Sequence, residues 1–257
     1  MTQPDYLKSS ASGFDEARRQ VTAELVSGIS GLLLALFMCG HVFLVGSILT
    51  GSKGFDWVAV QLEEYFIAQP TVVIIFVLFF LHAAFAARKI PAKLRERRKM
   101  LTLAKGLWKP VYEAAEGQAR SPLNSFHLES QLWIWQVRTG MVILVLGGFH
   151  IILIGIDVLT PLFGDRPGIE AATTLARERA GLWILYSVLM VCVSFHTATG
   201  LYRLAIKWGS GGRLSRRTLA FIEHVILWIM LGLGSITLAV MAGLIAPPLA
   251  RLIGAAP

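Results

Sequence analysis

The stretch GLLLALFMCGHVFLVGSIL, residues 31–49, decides the fold, because it runs for 19 residues without a charge and is interrupted only by the imidazole of His41. A helix needs about 20 mostly apolar residues to cross a bilayer. Three further stretches repeat the pattern: TVVIIFVLFFLHAAFAA (71–87) around His82, MVILVLGGFHIILIGI (141–156) around His150, and LYSVLMVCVSFHTATGLY (185–202) around His196. An intramembrane imidazole is costly without a partner, so four of them on four spans point to a bound cofactor.

The whole chain agrees with a membrane reading. Its 257 residues are 55% hydrophobic and 16% charged, with mean hydropathy +0.63, which is too apolar for an ordinary soluble domain. Spanning length is met at residues 24–50, 70–88, 131–158, 182–206 and 219–247. This predicts an all-α integral membrane protein, one bundle of five transmembrane helices with its termini on opposite sides. The polar start MTQPDYLKSSASGFDEARRQ predicts no cleaved signal. Cys39 and Cys192 lie inside spans and form no C-x-x-C pair, so they read as small packing residues.

A net charge of +8 suggests nucleic acid until the bases are placed. The N-terminal segment holds three Lys/Arg, the connection from Arg88 to Arg120 ten, and the connection from Arg203 to Arg217 five. The opposite side holds Lys53, Arg166, Arg177, Arg179 and Arg251. By the positive-inside rule the N-terminus is cytoplasmic and the C-terminus outside. The lipid bilayer is then the partner of the basic excess, with no nucleic acid involved.

Orientation converts position into depth, since a helix rises about 1.5 Å per residue. His82 and His196 each lie roughly 9–11 Å from the inner end of their spans, and His41 and His150 roughly 12–14 Å from the outer end. Two imidazoles at one depth on separate helices are what bis-histidine ligation of a b-type heme requires, so the bundle is expected to bind two hemes b. Gly147, Gly200 and the alanines around His82 would leave room for a planar guest. Arg88 and Arg203 lie about two turns beyond the inner histidines, within reach of heme propionates. His127 and His224 read as interface residues, although by depth His224 stays open as a rival to His82 or His196.

The strings GLLLALFMCGH (31–41), HAAFAARKIP (82–91), LWIWQVRTG (132–140), LGGFH (146–150) and FHTATGLYRLAIKWG (195–209) closely resemble the five-helix diheme cytochrome b of menaquinol:fumarate reductases and related succinate:quinone oxidoreductases. The resemblance runs from residue 24 to about 210, and the last span matches only as a hydrophobic helix. It implies that His82 and His196 ligate a proximal heme and that His41 and His150 ligate a distal one. It also implies that Lys89 and Lys207 contact propionates and that Trp133 lies near the distal heme. Ser27 and Gly28 stand near the distal-heme edge where the family has a more polar pair, so a backbone or water contact is expected there. Glu63 in QLEEYFIAQP (61–70), with Glu64 as the alternative, aligns with the acid that accepts a quinol proton. Ser194 replaces a family glutamate two residues before the fourth ligand, and a serine cannot ionise at working pH.

The implied function is the membrane subunit of a menaquinol:fumarate reductase in the cytoplasmic membrane of a prokaryote. Menaquinol would be oxidised near Glu63, and electrons would pass through the distal and then the proximal heme to an iron–sulfur subunit and a flavoprotein subunit on the cytoplasmic face. The basic segment 89–130 is the expected docking surface, and a dimer of heterotrimers is one assembly compatible with this. The alternatives are succinate:menaquinone reduction through the same parts, the cytochrome b anchor of a hydrogenase or formate dehydrogenase, and, from a different class, a cofactor-free transporter or anchor. The GLYRLAIKWG string and the acidic outer loop speak against the hydrogenase type.

Overall fold

The computed structural model describes residues 5–88, short pieces between 90 and 103, and residues 128–160, 162–163, 170–209 and 214–253. Lys89, His127 and most of the expected docking segment 89–130 lie outside the described residues.

Helix α1 (Asp5–Gly46) continues into a 3-10 turn at Ser47–Thr50, and α2 (Ser52–Glu64) follows after Gly51. Next come α3 (Ala68–Ala87), α4 (Leu128–Leu159) and α5 (Ala171–Arg177), with a π turn at Glu178–Leu182. Helices α6 (Trp183–Lys207) and α7 (Arg216–Met241) and a 3-10 turn at Ala250–Ile253 complete the chain. Among the described residues, five helical stretches are long and apolar enough to cross a membrane: 14–50, 68–87, 131–159, 171–207 and 216–241. The protein is a multi-pass membrane protein. The labels inner and outer are kept below from the charge reading.

Three details depart from the hydropathy reading. The outer connection between the first two spans is a helix, α2, which ends at Glu64 and is followed by Phe66 at φ 52°. The fourth span is preceded by α5 and a π turn in which Gly181 adopts φ 103°, so helical structure begins at Ala171. The fifth helix stops at Met241 instead of running to 247, because Gly243 takes φ 76° and its N–H and that of Leu244 turn back to the carbonyls of Val240 and Ala239. That is the left-handed helix stop which glycine adopts without a Cβ penalty. At the other end of α7, Ser215 caps the helix by accepting from Thr218 N at 3.1 Å.

Packing joins α1 to α3, α4 to α6, and α6 to α7, with α1 also touching α6 and α7. The four helices that carry His41, His82, His150 and His196 therefore form two close pairs, while α3 and α4 meet little. Small residues permit the close approaches. A Cβ at Gly234 on α7 would stand 2.8 Å from Met190 Sδ on α6. The outer end holds a compact apolar cluster of Ile48, Leu49, Ala171, Val240 and Met241. On α3 no residue is buried, and Val72, Val73, Ile74 and Val77 are all more than half exposed. Such a surface suits hydrocarbon as its neighbour rather than water.

Candidate functional site

The inner histidines are built by a repeated device. His82 on α3 places Nδ1 3.0 Å from the carbonyl of Ser27 on α1, with Ser30 Oγ at 3.4 Å. His196 on α6 places Nδ1 3.0 Å from the carbonyl of Gln136 on α4, with Thr139 Oγ1 at 3.3 Å. In each case a glycine follows the carbonyl by four residues and seats the ring. A Cβ at Gly31 would lie 2.8 Å from His82 Cε1, and one at Gly140 would lie 3.0 Å from His196 Cε1. An intramembrane ring nitrogen that donates to a backbone carbonyl is fixed in tautomer and direction, so Nε2 is the nitrogen presented for ligation. These hydroxyls and glycines were not singled out in the sequence, although carbonyl, hydroxyl at +3 and glycine at +4 recur in 27–31 and 136–140.

Across the bundle, the His82 and His196 ring centroids stand 6.4 Å apart, with their planes at 88°. Two metal–imidazole bonds of about 2.0 Å and two ring half-widths of roughly 1.1 Å span about 6 Å. The pair thus has the separation that a shared iron demands, and the residues fit a bis-histidine heme.

Replacing Gly140 with Val should push the His196 ring off its carbonyl. A change in such a supporting contact typically costs about 10–100-fold in metal affinity or activity. Heme content and the reduced absorption spectrum of the purified subunit would report it.

At the outer end, His150 Nδ1 lies 3.0 Å from the Tyr186 hydroxyl, and its ring meets the phenol edge-on at 5.2 Å between centroids. His41 stacks on Phe37 one turn earlier, at 5.2 Å and 22°. His41 and Arg177 are both within electrostatic reach of His150. This pair differs in kind from the inner one, since a side-chain hydroxyl replaces a carbonyl as the partner of one ligand.

Several expected residues stand elsewhere. Ser27 meets the inner histidine through its carbonyl, so the backbone contact exists but not at the distal edge. Gly28 faces Trp208, whose ring atom Cζ2 would lie 2.5 Å from an added Cβ. Trp133 precedes His150 by 17 residues on the same helix, a rise of about 25 Å, which puts it near the inner level instead of the outer. A Cβ added at Gly147 would lie 3.6 Å from the Phe79 ring and one at Gly200 3.1 Å from Gln136 Nε2, so protein side chains lie against both glycines.

Of the cations expected at propionates, Arg203 donates to Gln136 Oε1 at 2.6 Å, and Lys207 pairs with Glu24. The Arg88 guanidinium lies 5.9 Å over the Phe85 ring. His224 is exposed and its Nδ1 lies 2.7 Å from Ala220 O of its own helix, which removes it as a rival ligand. Glu63 and Glu64 sit at the C-terminal end of α2 with both side chains exposed.

The sequence also missed a buried charged group at the outer end, formed by Asp157, Arg177 and Glu178. Hydropathy windows skip charges at span ends, which is why it went unseen.

Comparison with known proteins gives a consistent result. Residues 118–242 match the family described as succinate dehydrogenase/fumarate reductase transmembrane subunit. A protein named fumarate reductase cytochrome b subunit from Wolinella succinogenes is 32% identical over 188 residues, 70% of this chain and 64% of that protein's length. One of the same name from Helicobacter pylori is 30% identical over 220 residues, 82% of this chain and 76% of its own length.

Proposed function

The chain belongs to the family of fumarate reductase cytochrome b subunits, and from that premise we propose that it is the membrane anchor and electron-transfer subunit of a menaquinol:fumarate reductase. The observation that carries the reading is the inner pair, two imidazoles 6.4 Å apart with each Nδ1 held by a carbonyl of a neighbouring helix.

His82 and His196 would hold the proximal heme, and His41 and His150 the distal one. When bound, the two hemes supply one-electron transfer across the bilayer. The protein's own part is orientation and insulation. Ser27 and Gln136 fix the inner ligands, Tyr186 meets the outer ligand His150, and five apolar helices keep water away.

Glu63 is the proposed acceptor of the quinol proton, with Glu64 beside it. It stands exposed on α2, a helix tied to the outer end by Asp56 Oδ1, which accepts from Ala171 N at 2.7 Å. Oxidation of a quinol releases protons where the electrons leave, so a carboxylate at that face gives them a path outward. With the N-terminus in the cytoplasm, the inner pair faces an iron–sulfur subunit and a flavoprotein subunit, on which fumarate is reduced.

The test is Glu63→Gln in the assembled complex. Quinol oxidation should be lost while both hemes remain, as read by turnover and heme content in parallel. Undiminished turnover would move the site, with Glu64→Gln as the next replacement.

A further inference from the structure

Three charged side chains are buried together at the outer end of the bundle. Asp157 on α4, Arg177 at the end of α5 and Glu178 in the π turn are 0%, 5% and 4% exposed. Asp157 is ion-paired with Arg177, which also donates to Thr174 Oγ1 at 3.3 Å. One cation thus faces two carboxylates, and the Arg177–Asp157 contact leaves Glu178 as the surplus. Its Oε2 makes no hydrogen bond among the described residues.

The cluster is connected to an outer histidine. The Tyr186 hydroxyl, 3.0 Å from His150 Nδ1, is in electrostatic reach of Arg177, Glu178 and Asp157. Backbone geometry holds Glu178 inward, in a π turn closed by Gly181 at φ 103°.

We infer that Glu178 is a redox-linked proton site: its carboxyl takes up one proton when an electron arrives at the outer histidine pair and gives it up when that electron moves to the inner pair. The inference rests on the reading of His41 and His150 as heme ligands. A buried negative charge without a partner is costly, and a second negative charge arriving nearby in a medium of low dielectric raises that cost steeply. A proton on Glu178 cancels it. Each quinol oxidised yields two electrons and two protons, so every electron entering the outer pair has one proton available, and no further reagent is required. The groups in electrostatic reach of Glu178 are Arg177 from α5 and Tyr186 from α6, and Asp157 from α4 is paired to that same Arg177. On neighbouring elements, Asp56 of α2 is committed to Ala171 N, and the Arg179 guanidinium lies against Gly243.

The experiment is a redox titration of the intact complex at several pH values, comparing wild type, Glu178→Gln and Glu178→Asp. In wild type the outer heme potential should fall as pH rises, approaching about 59 mV per tenfold drop in proton concentration for one proton per electron. Glu178→Gln should flatten that slope and leave the inner heme's behaviour unchanged; Glu178→Asp should keep it. Reduced-minus-oxidised infrared spectra give an independent readout, a protonated-carboxyl band present in wild type, shifted in Glu178→Asp and missing in Glu178→Gln. An unchanged slope in a Glu178→Gln complex that retains both hemes overturns the inference, as does a wild type with neither slope nor band. A complex that holds no second heme, or keeps it in a His150→Ala variant, fails at the heme reading instead and takes the inference with it.

Discussion

A complex carrying His196→Ala should contain one heme where two are proposed for the unmodified complex, and it should no longer pass electrons from quinol to fumarate. The expectation follows from geometry on both sides of the bundle. His196 stands 6.4 Å from His82 between ring centroids, the separation of two imidazoles on one iron. Its ring is aimed by the Gln136 carbonyl and seated over Gly140, and no other histidine among the described residues stands in that place. His224 is the nearest rival in the sequence, but it is exposed and bonded to its own helix at Ala220. The outer pair draws on different residues, Phe37 beside His41 and Tyr186 beside His150, and should keep its heme. A pyridine-hemochrome ratio of heme to protein, with the reduced spectrum, reads the result directly. Two hemes retained in His196→Ala would sink the assignment of the inner pair, and loss of a heme from a parallel His224→Ala variant would redirect it.

Much of this arrangement is legible in the sequence. Uncharged runs of spanning length mark the helices, and the constant rise of a helix turns residue number into depth, so His82 falls level with His196 by counting alone. Lateral adjacency is not encoded that way. That α1 supports the ligand on α3 while α4 supports the ligand on α6 depends on which faces meet, and no local pattern fixes it. The repeat of carbonyl, hydroxyl and glycine at 27, 30, 31 and 136, 139, 140 becomes meaningful only once His82 and His196 are seen lying against it. The resemblance sets Trp133 and Ser27 beside the distal heme, whereas both stand toward the inner end of their helices. The buried acids were hidden for a different reason. Arg177 and Glu178 look like loop charges when a span is taken to begin at 182, whereas the helical structure begins at Ala171 and draws them into the bundle.

Replacing Arg177 with Leu should destabilise the subunit by about 3–5 kcal/mol, because it leaves a buried carboxylate without its counter-ion. For a chain of this size that corresponds to a fall of roughly 10 °C in the unfolding temperature. Asp157 is fully buried, and the Arg177–Asp157 pair is incompletely satisfied, with Asp157 Oδ1 and Arg177 Nε making no hydrogen bond among the described residues. A pair of this kind gives little net stability over a well-packed apolar substitute, yet removing one member exposes the full desolvation cost of the other. Arg177→Leu combined with Asp157→Leu should therefore recover most of the loss, as measured by thermal unfolding of the detergent-solubilised subunit. Glu178 separates the structural role of this group from its chemical one. Its Oε2 bonds to nothing described, so Glu178→Gln should leave the unfolding temperature near wild type, while Asp157→Asn should lower it by breaking the ion pair. Equal losses in the two variants would mean that Glu178 shares Arg177 with Asp157, and that no surplus carboxylate stands beside the outer histidines.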